Sequence, residues 1–368
     1  MNYQEIDTPA LLIDEAVLEK NLAYMSDYAK KQNVSLRPHT KTHKMPKLAQ
    51  KQLQNGASGI TVAKIGEAEI MAVYGINDIF IANQVAGKQK LERIKKLAET
   101  VDISFGVDSI AHIKEIEAVF EGAQKKAQIL IEIEVGEERS GIIEVNDYKA
   151  LLHEIKASNN IELKGIFSHD GHTYKAVDQA DCLDVFNTAT TRTLYFNDIA
   201  SEMGFELETV SIGSTPPFMF GFDIPEGVTE IRPGTYILMD CSQSNAIGTY
   251  EHSAASVLTT IISKPTKERV ITDVGAKGLT AQSRSKGLTT TTGFGKVKEY
   301  DDVHVHGVFD EHAIIYNEHF NQAINIGDKV RIIPNHICPV SNLYHKAYLL
   351  RDGEVVDTLD IAAQGKLQ

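Results

Sequence analysis

The first two thirds of the chain alternate between continuous apolar runs and stretches in which apolar residues return every three or four positions. Residues 15–31 carry Val17, Leu18, Leu22, Met25 and Tyr28 on one helical stripe. Apolar runs then follow at 34–40, 59–63, 78–83, 102–107, 127–135, 161–169, 209–214 and 230–238. Helical patterns separate most of them, at 47–53, 66–74, 88–97, 110–120, 148–157 and 176–203. Runs that are apolar throughout, rather than alternating, are expected where helices cover both faces of a strand. Eight such strands within residues 10–245 predict a (β/α)8 barrel, with a doubly wound sheet left open by periodicity alone.

Near residue 240 the pattern changes. Segments 254–262, 269–273, 293–299, 303–308, 313–316, 329–334 and 347–359 read as short strands joined by turns, and Asp352-Gly353 is a hairpin signal. No long helical stripe remains, so residues 246–368 are expected to form an all-β domain. Residues 6–14 could pair with it, because the barrel already has its eight strands.

Composition narrows the classes. Apolar residues at 42% and charged residues at 24% are ordinary for a globular chain. A net charge of −13 with no offsetting basic stretch argues against nucleic acid as a partner. No apolar run approaches the ~18 residues that span a bilayer. The start, Met1-Asn2-Tyr3-Gln4-Glu5, lacks the pattern of a signal peptide, and Cys182, Cys241 and Cys338 are too scattered for a disulfide framework. A cytoplasmic location is expected.

A barrel gathers its chemistry at the C-terminal ends of its strands. Those ends carry Lys41, Lys64, Asn83-Gln84, Asp108, the segment from Glu134 to Arg139, His169-Asp170-Gly171-His172 with Tyr174, Gly213-Ser214-Thr215 and Tyr236. The densest cluster is Arg37-Pro38-His39-Thr40-Lys41-Thr42-His43-Lys44. A run of charges is ordinarily a solvated face, and that reading stands beside a sharper one. A lysine held at a partly apolar strand end can lose its proton and act as an amine nucleophile.

Gly213-Ser214-Thr215 offers open backbone N–H groups and two hydroxyls after the seventh strand, a usual phosphate position in such barrels; Gly234 and Tyr236 could complete the cradle. A lysine amine with a phosphate cradle suggests pyridoxal phosphate, whose aldehyde condenses with lysine; a phosphosugar aldolase using the lysine directly is the alternative. Near the chain's end, His336 and Cys338 stand two apart, where an extended segment would point both at one metal ion; imidazole with thiolate favours zinc. A buried cysteine beside a satisfied histidine is the plainer reading of that pair.

Together the Arg37–Lys44 run, Thr8-Pro9-Ala10 before it and Pro334-Asn335-His336-Ile337-Cys338-Pro339 resemble the D-threonine aldolase and D-serine dehydratase family of fold-type III pyridoxal phosphate enzymes, relatives of alanine racemase. The resemblance runs from about Asp7 to about Gln364. It implies a barrel followed by a β domain, a homodimer, and a lyase acting on D-3-hydroxy amino acids. It puts the Schiff-base lysine at Lys41 and the arginine near the cofactor's ring oxygen at Arg139. The phosphate loop falls at Gly213, Ser214 and Thr215 with Gly234 and Tyr236, and the metal pair at His336 and Cys338. His169 lies where the family commonly keeps polar residues near the cofactor; His169 or His172 is the candidate second acid or base, and Tyr174 is expected to contact the cofactor. Aldolases of the family typically carry aspartate at the second metal position and use manganese, whereas the dehydratases carry cysteine and zinc, so Cys338 tilts the expectation to β-elimination. A racemase and a non-catalytic pyridoxal phosphate-binding protein remain the alternatives.

Overall fold

The computed structural model describes residues 1–368. Two compact units emerge from its contacts. One comprises residues 25–41, 49–234 and 366–368; the other comprises residues 1–24, 42–48 and 235–365.

The first unit is the barrel. Eight parallel strands run in the spatial order Ser35–Leu36, Glu230–Ile231, Thr209–Ile212, Ile161–Ser168, Ala127–Ile133, Asp102–Val107, Asp78–Gln84 and Ile60–Val62. The outer two meet through a parallel bridge between His39 and Thr61, where the Thr61 N–H donates to the Pro38 carbonyl at 2.9 Å. Inside, Phe80, Leu130 and Phe167 form a buried apolar cluster, with Phe80 and Phe167 packed edge to face at 5.0 Å. Residues alternate between the interior and the helix layer along each strand, which is why the strands need apolar side chains at nearly every position.

Two strands are shorter than the sequence suggests. The run at 34–40 gives only Ser35–Leu36, and 230–238 gives only Glu230–Ile231. Pro38 and Pro233 each lack an N–H to donate, so the regular ladder gives way there to single bonds, the His39 N–H still reaching the Pro233 carbonyl at 2.9 Å. The chain then tightens into the 3-10 turns Thr40–Thr42 and Thr235–Ile237. Tyr236 is therefore not on the eighth strand; it lies in the second compact unit, and Gly234 is the last barrel residue before it.

The second unit is built on a mixed sheet. Ala10–Asp14 sits at its centre, antiparallel to Ala255–Ser263 and parallel to Lys346–Arg351. Lys346–Arg351 turns at Asp352-Gly353 into Glu354–Asp360, the hairpin that dipeptide signals. Ile6, Ala10, Leu12, Leu258 and Leu350 form its buried cluster. Short helices interrupt this β unit, at Cys241–Ile247, Ala276–Leu279, Glu318–Ala323 and Ile337–Ser341. Each is too brief to leave a periodic stripe, and what marks Cys241–Ile247 in sequence is its cap, Asp240, which accepts from the Gln243 N–H. No helix of the protein is long and apolar enough to cross a membrane.

Candidate active site

In the barrel unit, Lys41 occupies the middle of the Thr40–Thr42 turn, and its backbone N–H donates to Nδ1 of His39 at 3.4 Å. His39 is buried, and burial, then the charges of Lys41, Arg232 and His169, push its pKa well below the ordinary imidazole value. It is a neutral ring. His169 follows the strand Ile161–Ser168, and its Nδ1 lies 2.9 Å from Oε2 of Glu137. Burial lowers the His169 pKa and the Glu137 carboxylate pulls it part of the way back, while Lys41 and Arg139 oppose protonation. Burial opposes ionisation of Glu137, but His169, Arg139 and Lys41 outweigh it and hold the carboxyl below its usual range. These reciprocal effects put Lys41, His39, His169, Glu137 and Arg139 in one electrostatic neighbourhood.

Arg139 is held in two places. Its guanidinium reaches Glu137 Oε2 and Glu132 Oε1, each at 3.3 Å. Glu132 is 4% exposed and also accepts from Ser140 Oγ at 2.9 Å and from the Gln84 amide. Gly171 makes the Glu137–His169 pair possible, since a Cβ there would run into the Glu137 carboxylate. Tyr174 sets its ring edge-on to His169 at 6.4 Å. His172 turns the other way, with Nε2 3.0 Å from where a Cβ on Gly136 would sit and Nδ1 buried without a hydrogen-bond partner.

Gly213-Ser214-Thr215 lies against the eighth strand's exit. A Cβ on Gly213 would stand 3.1 Å from Arg232 Cβ and 3.2 Å from the Arg232 carbonyl oxygen, so glycine permits the close approach. Ser214 Oγ donates to Asp170 Oδ2 at 3.0 Å. Arg232 is 5% exposed inside the barrel, donating to Ser211 Oγ at 2.5 Å and the Ser168 carbonyl at 2.6 Å, with its guanidinium 5.3 Å from the Phe167 ring. Burial brings its pKa down to about 10, against the pull of Glu230 and Glu132.

Arg37, although part of the densest basic cluster, turns to the opposite end of the barrel. Its Nε bonds Glu230 Oε2 at 2.7 Å and its other nitrogens engage Asp78, the first residue of its strand. Burial opposes its charge, but Glu230 and Asp78 raise its pKa overall.

The second unit holds the His336/Cys338 pair. These residues are not in an extended segment. His336 caps the helix Ile337–Ser341 in an extended conformation, and Cys338 lies in that helix's first turn. Asp240 anchors the turn, accepting from the Ile337 N–H at 3.0 Å, while Asn335 donates to the Gly293 carbonyl at 2.7 Å. His336 Nδ1 sits 3.1 Å from Gln282 Oε1, an acceptor that favours the proton on Nδ1 and Nε2 as the ligating atom. Cys338 Sγ donates to Thr42 Oγ1 at 3.4 Å and lies 3.8 Å from Thr235 Oγ1. No group of three or more His, Cys, Asp or Glu side chains gathers to hold a metal. An imidazole and a thiol are nevertheless a donor set suited to zinc. Of the other basic residues, His43 accepts from the Met45 N–H at 3.0 Å, and Lys44 reaches Asn342 Oδ1 at 2.8 Å. Both are used up in structure.

Sequence reasoning passes over Glu137, Glu132, Asp170 and Arg232 as individual actors. Glu132 has a signal, a carboxylate inside the otherwise apolar run 127–133, and so does Arg232, one residue past a buried strand. Glu137 has none, because its role depends on the loop fold that Gly171 allows.

A closed parallel barrel with an amine, a buried neutral histidine and an arginine–carboxylate array beyond its strand ends, together with a mixed-sheet unit, defines the alanine racemase type of architecture. The family model "Alanine racemase, N-terminal domain" matches residues 13–242, and "Putative serine dehydratase domain" matches residues 254–350. The chain belongs to this family, on the branch that contains D-threonine aldolases and D-serine dehydratases. It is 31% identical over 365 residues to a D-threonine aldolase of Arthrobacter sp., covering 98% of this chain and 93% of that one. It is 30% identical over 371 residues to the D-threo-3-hydroxyaspartate dehydratase of Delftia sp. (strain HT23), covering 95% and 96%. Among solved structures, D-threonine aldolase from Filomicrobium marinum superposes with a TM-score of 0.91 at 28% identity, covering 100% of this chain and 98% of the other. A solved D-threo-3-hydroxyaspartate dehydratase in which a cysteine is changed to alanine, described as metal-free, superposes with a TM-score of 0.89 at 27% identity, covering 98% of each chain.

Proposed function

We propose that this protein is a pyridoxal phosphate- and divalent-metal-dependent lyase acting on D-3-hydroxy amino acids, with β-elimination to a 2-oxo acid and ammonia as its reaction. The observation that carries the reading is the placement of Lys41, one turn beyond a barrel strand and facing His39, His169 and Glu137. Named relatives along the whole chain are lyases of this kind.

Lys41 would hold the cofactor's aldehyde, Arg139 would stand at the ring's oxygen side, and Gly213, Ser214 and Thr215 would hold the phosphate. His336 and Cys338 would supply two metal ligands, zinc being the ion that suits them, with the open positions left for water and substrate oxygens. When bound, the cofactor supplies an electron sink for charge at the substrate's α carbon, and the metal a Lewis acid for its β-hydroxyl. The chain supplies the proton transfers. The Lys41 amine takes the α proton in elimination. The Glu137 carboxylate keeps the proton of His169 on Nδ1 and leaves Nε2 with the lone pair, the form of a base for the hydroxyl proton in carbon–carbon cleavage rather than in elimination, where the hydroxyl departs. Arg139, held at Glu132 and Glu137, is a fixed positive charge that costs no reorganisation during reaction.

Cys338, a soft ligand beside His336, supports elimination, as does likeness to the Delftia dehydratase. Carbon–carbon cleavage to glycine and an aldehyde is the second reading. Likeness to the Arthrobacter and Filomicrobium aldolases favours it, and there His169 would take the hydroxyl proton. Product analysis decides. The protein loaded with pyridoxal phosphate and zinc is given D-serine and D-threonine, and release of 2-oxo acid with equal ammonia supports elimination. Glycine and acetaldehyde from D-threonine would replace it with the aldolase, and interconversion of D and L forms without cleavage would sink both.

A further inference from the structure

Behind the Gly213–Thr215 loop lies a carboxyl group that the reaction above does not use. Asp170 is 4% exposed, and its Oδ2 accepts the Ser214 hydroxyl at 3.0 Å. Its Oδ1 is buried and has no hydrogen-bond partner. Thr173 Oγ1 donates to the Asp170 carbonyl at 2.7 Å and lies 3.4 Å from Ser214 Oγ, so that hydroxyl is already engaged. The charged and titratable groups facing Asp170 are His172 on its own loop, Arg232 from the eighth strand's exit, and the Cys182 thiol on the helix Gln179–Glu202. Arg232 directs its guanidinium hydrogen bonds to Ser211 and the Ser168 carbonyl. An ionised carboxylate here would sit in the interior with the Ser214 hydroxyl as its one side-chain donor, helped only by its own backbone N–H, an expensive arrangement.

Ser214 has one proton to give. If Asp170 is ionised it takes that proton, and Ser214 shows only lone pairs to an arriving anion. If Asp170 is protonated it donates to Ser214 Oγ, and the Ser214 hydroxyl is released to donate outward. We propose that Asp170 is a positioning residue for the phosphate loop, and that a phosphate monoester binding at Gly213–Thr215 takes up one proton from solvent. The proton goes to Asp170, Asp170 donates to Ser214, and Ser214 donates to a phosphate oxygen; no covalent bond between heavy atoms changes. Removing the Asp170 charge also removes its repulsion of the anion. Burial raises the Asp170 pKa to about 6, against Ser214, His172 and Arg232, so the exchange falls within the range of neutral solutions.

The inference rests on the reading that this loop holds the cofactor phosphate, and the test separates the two. Cofactor-freed protein is titrated with pyridoxal phosphate and with pyridoxal, followed by absorbance between about pH 5 and 8. The comparison is the ratio of the two affinities, in which effects on the lysine cancel. Asp170→Asn carries an amide that donates to Ser214 at every pH. One pH unit above the Asp170 pKa it is expected to bind pyridoxal phosphate about tenfold more tightly than the unaltered protein, because taking up the proton there costs a factor of ten. At the lower end of the range the two should bind equally. Ser214→Ala should weaken pyridoxal phosphate but not pyridoxal, and the pH dependence of the ratio should differ from that of the unaltered protein, leaving only what the phosphate's own second ionisation at about pH 6 contributes. An Asp170→Asn protein that keeps the unaltered slope, with Ser214→Ala still selective against the phosphate, overturns the role of Asp170 alone. Equal weakening of both ligands by Ser214→Ala overturns the phosphate loop and the inference with it. Should Asp170→Asn fold poorly, Ser214→Ala carries the test: a pH dependence of the ratio identical to that of the unaltered protein contradicts the proposal, since the phosphate's own second ionisation at about pH 6 is common to both.

Discussion

The thiol of Cys338 donates to the hydroxyl of Thr42 at 3.4 Å, and Thr42 closes the 3-10 turn whose middle residue is Lys41. Cys338 and Thr42, both in the mixed-sheet unit, are thus joined through their side chains. In sequence they are nearly three hundred positions apart.

Replacing Cys338 by aspartate exchanges a soft ligand for a hard one. Cys338→Asp should lower the affinity for zinc and raise the relative activity with manganese, whereas Cys338→Ala should lower activity with both. Metal content by atomic absorption, beside activity in each ion, checks this. Unchanged zinc content in Cys338→Ala would remove the thiol from the metal's ligands.

Glu137 is expected to act through His169. Glu137→Gln removes a carboxylate that raises the His169 pKa, so the acid limb of the kcat/KM profile should move to lower pH, with a plateau about a hundredfold lower. The group also links to stability. Its folded pKa is depressed, so its contribution is present above the unfolded value and lost as pH falls through the folded one. Denaturation midpoints of Glu137→Gln should be less sensitive to acid than those of the unaltered protein. An acid limb that stays in place would leave Glu137 a structural residue only.

Arg37 is predicted to matter for folding and not for chemistry. Arg37→Ala leaves the buried Glu230 and the half-exposed Asp78 without their cation, which should cost about 3 kcal/mol, the lower end for a broken buried pair. Urea unfolding measures the loss. The visible absorbance of the cofactor-loaded protein should persist; its disappearance would put Arg37 in the site.

How far the site can be read from the sequence follows which forces write themselves into local pattern. Continuous apolar runs reveal the eight strands because burial on two faces constrains nearly every residue. The short strands Ser35–Leu36 and Glu230–Ile231 read as longer than they are, because the regular ladder thins at Pro38 and Pro233 to single bonds such as the His39 N–H to the Pro233 carbonyl before the chain turns. Arg37 and Lys41 are indistinguishable as members of one basic cluster, yet one turns to Asp78 and the other into the turn that carries the chemistry. Only the placement of the strand on the barrel separates them. His336 and Cys338 are legible as a pair by spacing, but not as cap and first turn of a helix. The interaction that anchors the turn comes from Asp240, almost a hundred residues earlier. The Glu137–His169 and Asp170–Ser214 bonds join loops that meet only after the barrel closes, and no local pattern records them.

The central claim is that Lys41 bears the cofactor. Reducing the pyridoxal phosphate-loaded protein with borohydride makes the lysine link permanent, and mass spectrometry of its peptides locates it. The account predicts a single phosphopyridoxyl group on the peptide containing Lys41, with Lys41→Ala losing both the label and the visible absorbance. Label on Lys44 or Lys64, or none on any lysine, would contradict it.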